Sequence, residues 1–195
     1  MTNKNFKIYK PYGYLSQFVY NQSTRKNKKL LGDLADFPPG TMSIGRLDED
    51  SEGLLLLTTD GKLSHEVRSK KVEKEYYVQV DGQVTSTAIE QLKNGVEIGF
   101  NGKKYVTLPC EVRKLEESPL LPERGKKIRD ARHGPTSWIS VTIVEGKFRQ
   151  VKKMTAAVGY PTLRLVRVRI GKELLEDMRV GEVREVNSFK ISNSG

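Results

Sequence analysis

The chain has 195 residues, with 34 Lys and Arg against 24 Asp and Glu, a formal net charge of +10, and one cysteine. That length supports a hydrophobic core in a single domain, or in two sub-lobes sharing one. The lone Cys110 excludes a disulfide within the chain and points to a reducing compartment, the cytoplasm. The basic excess suits a polyanion such as nucleic acid, although a merely soluble basic surface needs no partner. The longest apolar run, 54–57, is too short to span a membrane, and residues 1–10 lack a hydrophobic signal region.

Phe6 and Ile8 predict a short strand that ends in the turn Lys10-Pro11-Tyr12-Gly13. Residues 22–29 are polar and basic and are expected to form a mobile loop that either wanders or touches a phosphate backbone. A short helix is expected over 30–37, stopped by Pro38-Pro39-Gly40. Strands over 42–46 and 54–59 bracket a polar loop, 47–53. Asp60-Gly61 is a turn before a short helix over 63–69. A strand over 75–80 precedes a helix over 85–93, where Ala88, Ile89 and Leu92 share a face and Asn94-Gly95 is the stop.

Further strands are expected over 96–98, 104–114 and 138–144. The stretch 116–135, rich in Pro, Gly and charge, reads as an exposed insertion without fixed structure. The clearest helix follows Glu145-Gly146-Lys147. Phe148, Val151, Met154, Thr155 and Val158 recur at three- and four-residue spacing on one face, with Arg149, Lys152 and Lys153 on another. In a final strand over 162–170, Leu163, Leu165 and Val168 alternate imperfectly with Arg164, Arg167 and Arg169. Short strands mixed with short helices predict an α+β fold: a mixed, mainly antiparallel central sheet with flanking helices, one domain over 1–195.

No glycine-rich phosphate loop or dinucleotide fingerprint occurs. His65 and His133 have no cysteine partners at metal-ligand spacing. Chemistry is therefore expected from carboxylate, Tyr, Lys and Arg groups, with no metal and no organic cofactor. Asp48, Glu49, Asp50 and Glu52 crowd one loop of a basic protein and lack the glycine placement and length of a calcium hand. A nucleophile facing a bound substrate accounts for such a loop. So does an ordinary solvated turn, which the spacing alone favours. Cys110, amid Val106, Leu108 and Val112, reads as a small core residue.

Gly45-Arg46-Leu47-Asp48 followed by Gly53-Leu54-Leu55-Leu56-Leu57-Thr58 resembles the signature of the RsuA-type pseudouridine synthases. Lys10-Pro11-Tyr12-Gly13 resembles that family's Lys-Pro-x-Gly motif, and Lys74-Glu75-Tyr76-Tyr77-Val78 its Lys-x-Tyr-x-Val motif. Glu145-Gly146-Lys147-Phe148-Arg149-Gln150-Val151-Lys152-Lys153-Met154 resembles the third motif, and Leu165-Val166-Arg167-Val168-Arg169-Ile170-Gly171 the strand after it. The motifs stand in the family's order and the resemblance spans roughly 6–185 of the chain.

The resemblance implies a pseudouridine synthase fold with a central RNA-binding cleft. It also implies isomerisation of one uridine in ribosomal RNA, of the large subunit, with the target base flipped out. Asp48 is then the nucleophile or base, and Tyr76 stacks on the uracil and accepts its lost proton. Lys152 pairs with the aspartate. Burial raises a carboxylate's pKa and a nearby cation opposes that. Arg46, two residues from Asp48 in an extended loop, can share its side or hold the flipped nucleotide's place. Leu165 is expected to contact the base, and Lys10, Arg149 and Lys153 to bind substrate.

Arg25, Lys26, Lys28, Lys29 and the basic cluster over 124–132 are candidates for backbone contacts, which supply affinity more than sequence readout. Only nine residues precede Lys10, so the S4-type RNA-binding domain of many members is expected to be absent. Recognition then falls to the catalytic body, expected to be a monomer. Ser51 replaces the common Thr of the signature and keeps its hydroxyl. The competing reading is a non-catalytic RNA-binding protein of ribosome assembly. A metal-dependent nuclease would need carboxylates from separate elements or a His pair.

Overall fold

The structure, a computed structural model, describes residues 2–20 and 27–191. Along the chain run β1 (Asn5–Lys10), β2 (Met42–Ile44), β3 (Glu52–Thr58), α1 (Gly61–Ser69), β4 (Lys74–Asp81) and α2 (Ser86–Asn94). Then come β5 (Glu97–Phe100), β6 (Lys103–Val106), β7 (Glu111–Leu115) and β8 (Thr136–Ile143). The last are α3 (Gln150–Ala157), β9 (Thr162–Ile170), β10 (Glu173–Leu174) and β11 (Val183–Val186). The α+β expectation holds, and every strand register given below is antiparallel. No described helix is long and apolar enough to cross a membrane.

The chain divides into two compact units. The first comprises Met1–Val72, Pro122–Lys126 and Arg167–Gly195. Here β1 pairs with β11 through Ile8↔Val183 and with β3 through Ile8↔Leu55, while β2 pairs with the C-terminal half of β3 through Ile44↔Leu56. All four leucines of 54–57 are buried, as are Ile8 and Tyr9. A strand covered on both faces needs apolar side chains on both, which is why the leucine run shows no alternation. Asp60 is the N-cap of α1 rather than part of a separate turn: its carboxylate accepts from the Lys62 and Leu63 amides, and its own amide donates to Thr58 Oγ1.

The helix expected over 30–37 does not form. Only a 3-10 turn, Leu31–Asp33, is present, with Asp33 accepting from the Leu30 amide at 2.8 Å. Leu31 is buried, and Phe37 packs edge-on against both Phe6 and Phe18. Gly32 and a side-chain cap favour a turn, and Pro38 pushes the residue before it away from helical backbone.

The second unit comprises Glu73–Leu121 and Lys127–Val166. Its strands β4, β8 and β7 set Tyr76, Val141 and Val112 in one cross-strand row. Thr85 caps α2, and Gly95 ends it with φ +99°. The single strand expected over 104–114 is two strands in two sheets. β6 forms a hairpin with β5 around Asn101-Gly102, both at positive φ, whereas β7 pairs with β8. At the corner between them, the Val96 amide donates to Thr107 Oγ1 and the Thr107 amide to Val96 O, both at 3.0 Å. Pro109, which offers no amide, cannot continue a ladder.

Two further expectations are corrected. The stretch 116–135 is tied down at intervals: Arg129 pairs with both oxygens of Asp81, Asp130 caps the 3-10 turn Ala131–His133, and Arg124 lies 4.5 Å over the Tyr12 ring within the first unit. The third helix begins at Gln150, so Phe148 is not on its apolar face and is 66% exposed.

A Cβ at Gly95 would stand 2.3 Å from Thr107 O, in a backbone region that side chains disfavour. Gly95→Ala is expected to cost roughly 2 kcal/mol or more, read as a lowered urea midpoint at unchanged slope. An unaltered midpoint would show that the α2–β5 corner tolerates the side chain.

Candidate active site

The loop bearing Asp48 is held from below by a buried ammonium group. Lys10, at the end of β1, is 0% exposed. Its Nζ donates to Pro11 O at 2.9 Å, Tyr14 O at 2.7 Å and Glu49 O at 3.4 Å. The Gly13 amide reaches the same Glu49 carbonyl at 2.7 Å, with Gly13 at φ +84°. The Lys10–Gly13 turn and the acidic loop are thus one hydrogen-bonded unit. Burying a charge is costly unless polar partners surround it, and here carbonyl oxygens do so.

Ser16 fixes the other side of the loop. Its Oγ donates to Leu47 O at 2.7 Å and accepts from the Leu47 amide at 2.9 Å, so one hydroxyl satisfies both backbone groups of the residue before Asp48. The Ser51 amide closes the loop onto Asp48 O at 3.0 Å. The Asp48 side chain is half-buried on this frame.

The neighbouring carboxylates have other work. Glu49 binds Lys28 through both oxygens at 2.9 Å, which raises the lysine's pKa. Glu52 is buried, with the Tyr9 hydroxyl at 3.5 Å from its Oε1. Arg46 is exposed, and its guanidinium donates to Gln17 Oε1 at 2.6 Å. Arg167, which the sequence reading left unassigned, is 4% exposed and donates from Nε to Leu54 O at 2.8 Å, bracing β3 behind the loop. Its position among alternating leucines on β9 is the one signal that could have found it.

Lys10, Arg46 and Asp48 therefore come together in the first unit, with Lys10 beneath the loop. Lys10, expected to bind substrate, is 0% exposed and donates to backbone carbonyls of the two segments. Tyr76, Arg149, Lys152, Lys153 and Leu165 belong to the second unit. Tyr76 is buried on the β4 face that also carries Val78 and Val80, and Tyr77 lies on the opposite face. Arg149 is the N-cap of α3 in left-handed backbone, φ 52° and ψ 33°; Lys152 and Lys153 follow in its first turn, and Lys153 Nζ donates to Gly99 O at 2.8 Å. Leu165 is buried on β9.

Of the basic residues considered for backbone contact, Arg25 and Lys26 lie outside the described residues. Lys28 is engaged by Glu49, Arg129 by Asp81 and Arg132 by Asp130. Cys110 is less central than expected: Val106 and Leu108 beside it are exposed. Burial still pushes its thiol up to about 11, and Sγ donates to Leu92 O at 3.3 Å, so it is not a thiolate nucleophile at neutral pH. An open groove of about 760 Å³ beside α2, lined by Ser86, Glu90, Asn94, Val96 and Ala157 among others, holds none of the motif residues.

A model of the RNA pseudouridylate synthase family matches residues 6–157. The chain belongs to this family. It is 42% identical over 182 residues to the ribosomal large subunit pseudouridine synthase E of Vibrio vulnificus, covering 91% of this chain and 73% of the relative. With the enzyme of the same name from Xanthomonas campestris it shares 44% over 179 residues, 90% of this chain and 91% of the relative. Among solved structures, a pseudouridylate synthase crystal structure superposes with a TM-score of 0.73 at 27% identity, covering 95% of this chain and 70% of that one. The fold is that of the pseudouridine synthases, and the chain is an enzyme of that family.

Replacing Lys10 by Met, which keeps the length and removes the charge, would take this donor from the half-buried Pro11 and Tyr14 carbonyls and leave Glu49 O with the Gly13 amide alone. The expected loss is about 1–3 kcal/mol in chemical denaturation. A variant as stable as the parent would show that the ammonium does not anchor the loop.

Proposed function

We propose that this enzyme isomerises one uridine of large-subunit ribosomal RNA to pseudouridine, in the cytoplasm, with Asp48 as nucleophile or base. The observation that carries the assignment is the Asp48 loop itself, whose backbone is braced by Lys10 at Glu49 O and by Ser16 at Leu47. The large-subunit target is supported by the names of the two relatives at 42% and 44% identity.

In the reaction the N1–C1′ glycosidic bond breaks, the uracil turns, and a C5–C1′ bond forms. C5 gives up its proton and N1 takes one, so atoms and charge balance without an oxidant or an energy source. A target base must leave its stack to meet a carboxylate, and an aromatic ring that receives it recovers part of the lost stacking. Tyr76 is assigned that ring and the C5 proton, Lys152 the cation paired with the carboxylate, and Leu165 an apolar contact to the base. These three roles rest on the order and identity of the motifs. Arg46 is assigned to the flipped nucleotide's vacated place or its phosphate, as an exposed side chain at the rim of the Asp48 loop. The basic excess of the chain supplies salt-dependent affinity for the RNA backbone.

The test is conversion of a ribosomal RNA fragment by purified protein, mapped by carbodiimide modification and primer extension. The parent should form one pseudouridine, while Asp48→Asn and Asp48→Ala should bind the fragment and form none. Turnover by Asp48→Asn would remove the carboxylate from the chemistry. A parent that binds but never converts RNA would favour the ribosome-assembly reading.

A further inference from the structure

Phe148 is an aromatic side chain that the fold leaves outside. It lies two residues before α3, in a turn that is held by its neighbours. The Glu145 carboxylate accepts from the Tyr105 hydroxyl, from the Leu108 amide at 2.9 Å and from Gln150 Nε2 at 2.8 Å. Gln150 Oε1 in turn accepts from the Lys147 amide at 3.1 Å. The next residue, Arg149, is in left-handed backbone, which costs a non-glycine residue about 1 kcal/mol and persists where surrounding structure enforces it. These constraints start the helix at Gln150 and leave the Phe148 ring 66% exposed.

The ring's surroundings are cationic. Lys153 Nζ lies 5.4 Å from its centroid and is steadied by Gly99 O. Lys147 Nζ lies 5.0 Å from the centroids of both Phe100 and Tyr105 on the β5–β6 hairpin, which also carries the exposed Lys103 and Lys104. The acidic groups nearby are already engaged, Glu145 by the turn and Glu97 by Lys104 at 3.0 Å. An exposed aromatic ring on a braced turn, with one ammonium group over it and others at the neighbouring hairpin, has the chemistry that binds single-stranded nucleic acid: bases stack on such a ring and phosphates meet the cations.

We propose that Phe148 is a stacking platform for an unpaired base of the RNA substrate outside the target uridine, with Lys147 and Lys153 meeting the phosphates beside it. This rests on the RNA reading above, and the experiment separates the two. Pseudouridine formation by the parent protein on a ribosomal RNA fragment is measured first; its absence would defeat that reading whatever Phe148 does. Equilibrium binding of the same fluorescein-labelled fragment is then compared among variants whose folding is checked by thermal unfolding.

Phe148→Ala should weaken binding about five- to tenfold, the lower end of what one base–aromatic stack supplies. Phe148→Tyr should return affinity to within about twofold of the parent, and Phe148→Leu should not. Unchanged affinity in Phe148→Ala overturns the proposal. Rescue by Leu as good as by Tyr also overturns it, since an apolar contact, as to a protein partner, would then account for the site.

Discussion

A buried ammonium group under a loop is the constraint on which the site depends. Lys10 is 0% exposed, which takes it out of bulk water, and the carbonyls of Pro11, Tyr14 and Glu49 accept hydrogen bonds from it. These bonds form when the turn after β1 and the loop before β3 fold against each other. The pairing of Lys10 with Gly53 at the end of the β1–β3 ladder brings those segments to the same place from the sheet side. Sheet register and buried charge therefore specify one loop conformation, and Asp48 sits at its centre.

Two of the four acidic residues crowded into this loop face different partners: Glu49 a half-buried lysine, Glu52 a buried tyrosine hydroxyl. Surface ion pairs such as Lys28–Glu49 add little stability, and their consequence here is orientation. The carboxylate at 48 is half-buried on a backbone fixed by Ser16 on one side and by Lys10 on the other. Functional side chains held by hydrogen-bonded supports lose less freedom when substrate binds.

Legibility in the sequence followed the range of the interactions. Strands β1, β3, β4, β8 and β9 and helix α2 lie near where periodicity and turn residues put them, because those signals are local. Asp48, Tyr76 and Lys152 were visible as members of ordered motifs. The burial of Lys10 was not, because it depends on the loop at Glu49, which is distant in sequence. The break in 104–114 had a local marker, Pro109, that alternation overrode. Phe148 fits the helical spacing of Val151 and Val158, and the left-handed Arg149 that excludes it from α3 has no marker in composition. The 30–37 segment carried local marks against a helix, Gly32 and Pro38, and Phe37 packs against Phe6 and Phe18.

The account makes one carboxylate responsible for one modified nucleotide. The most direct measurement is a pseudouridine map of the ribosomal RNA from cells lacking the gene, with the parent or Asp48→Asn supplied on a plasmid. The account predicts that one large-subunit pseudouridine disappears, returns with the parent and does not return with Asp48→Asn. A map in which every pseudouridine survives the deletion would contradict it.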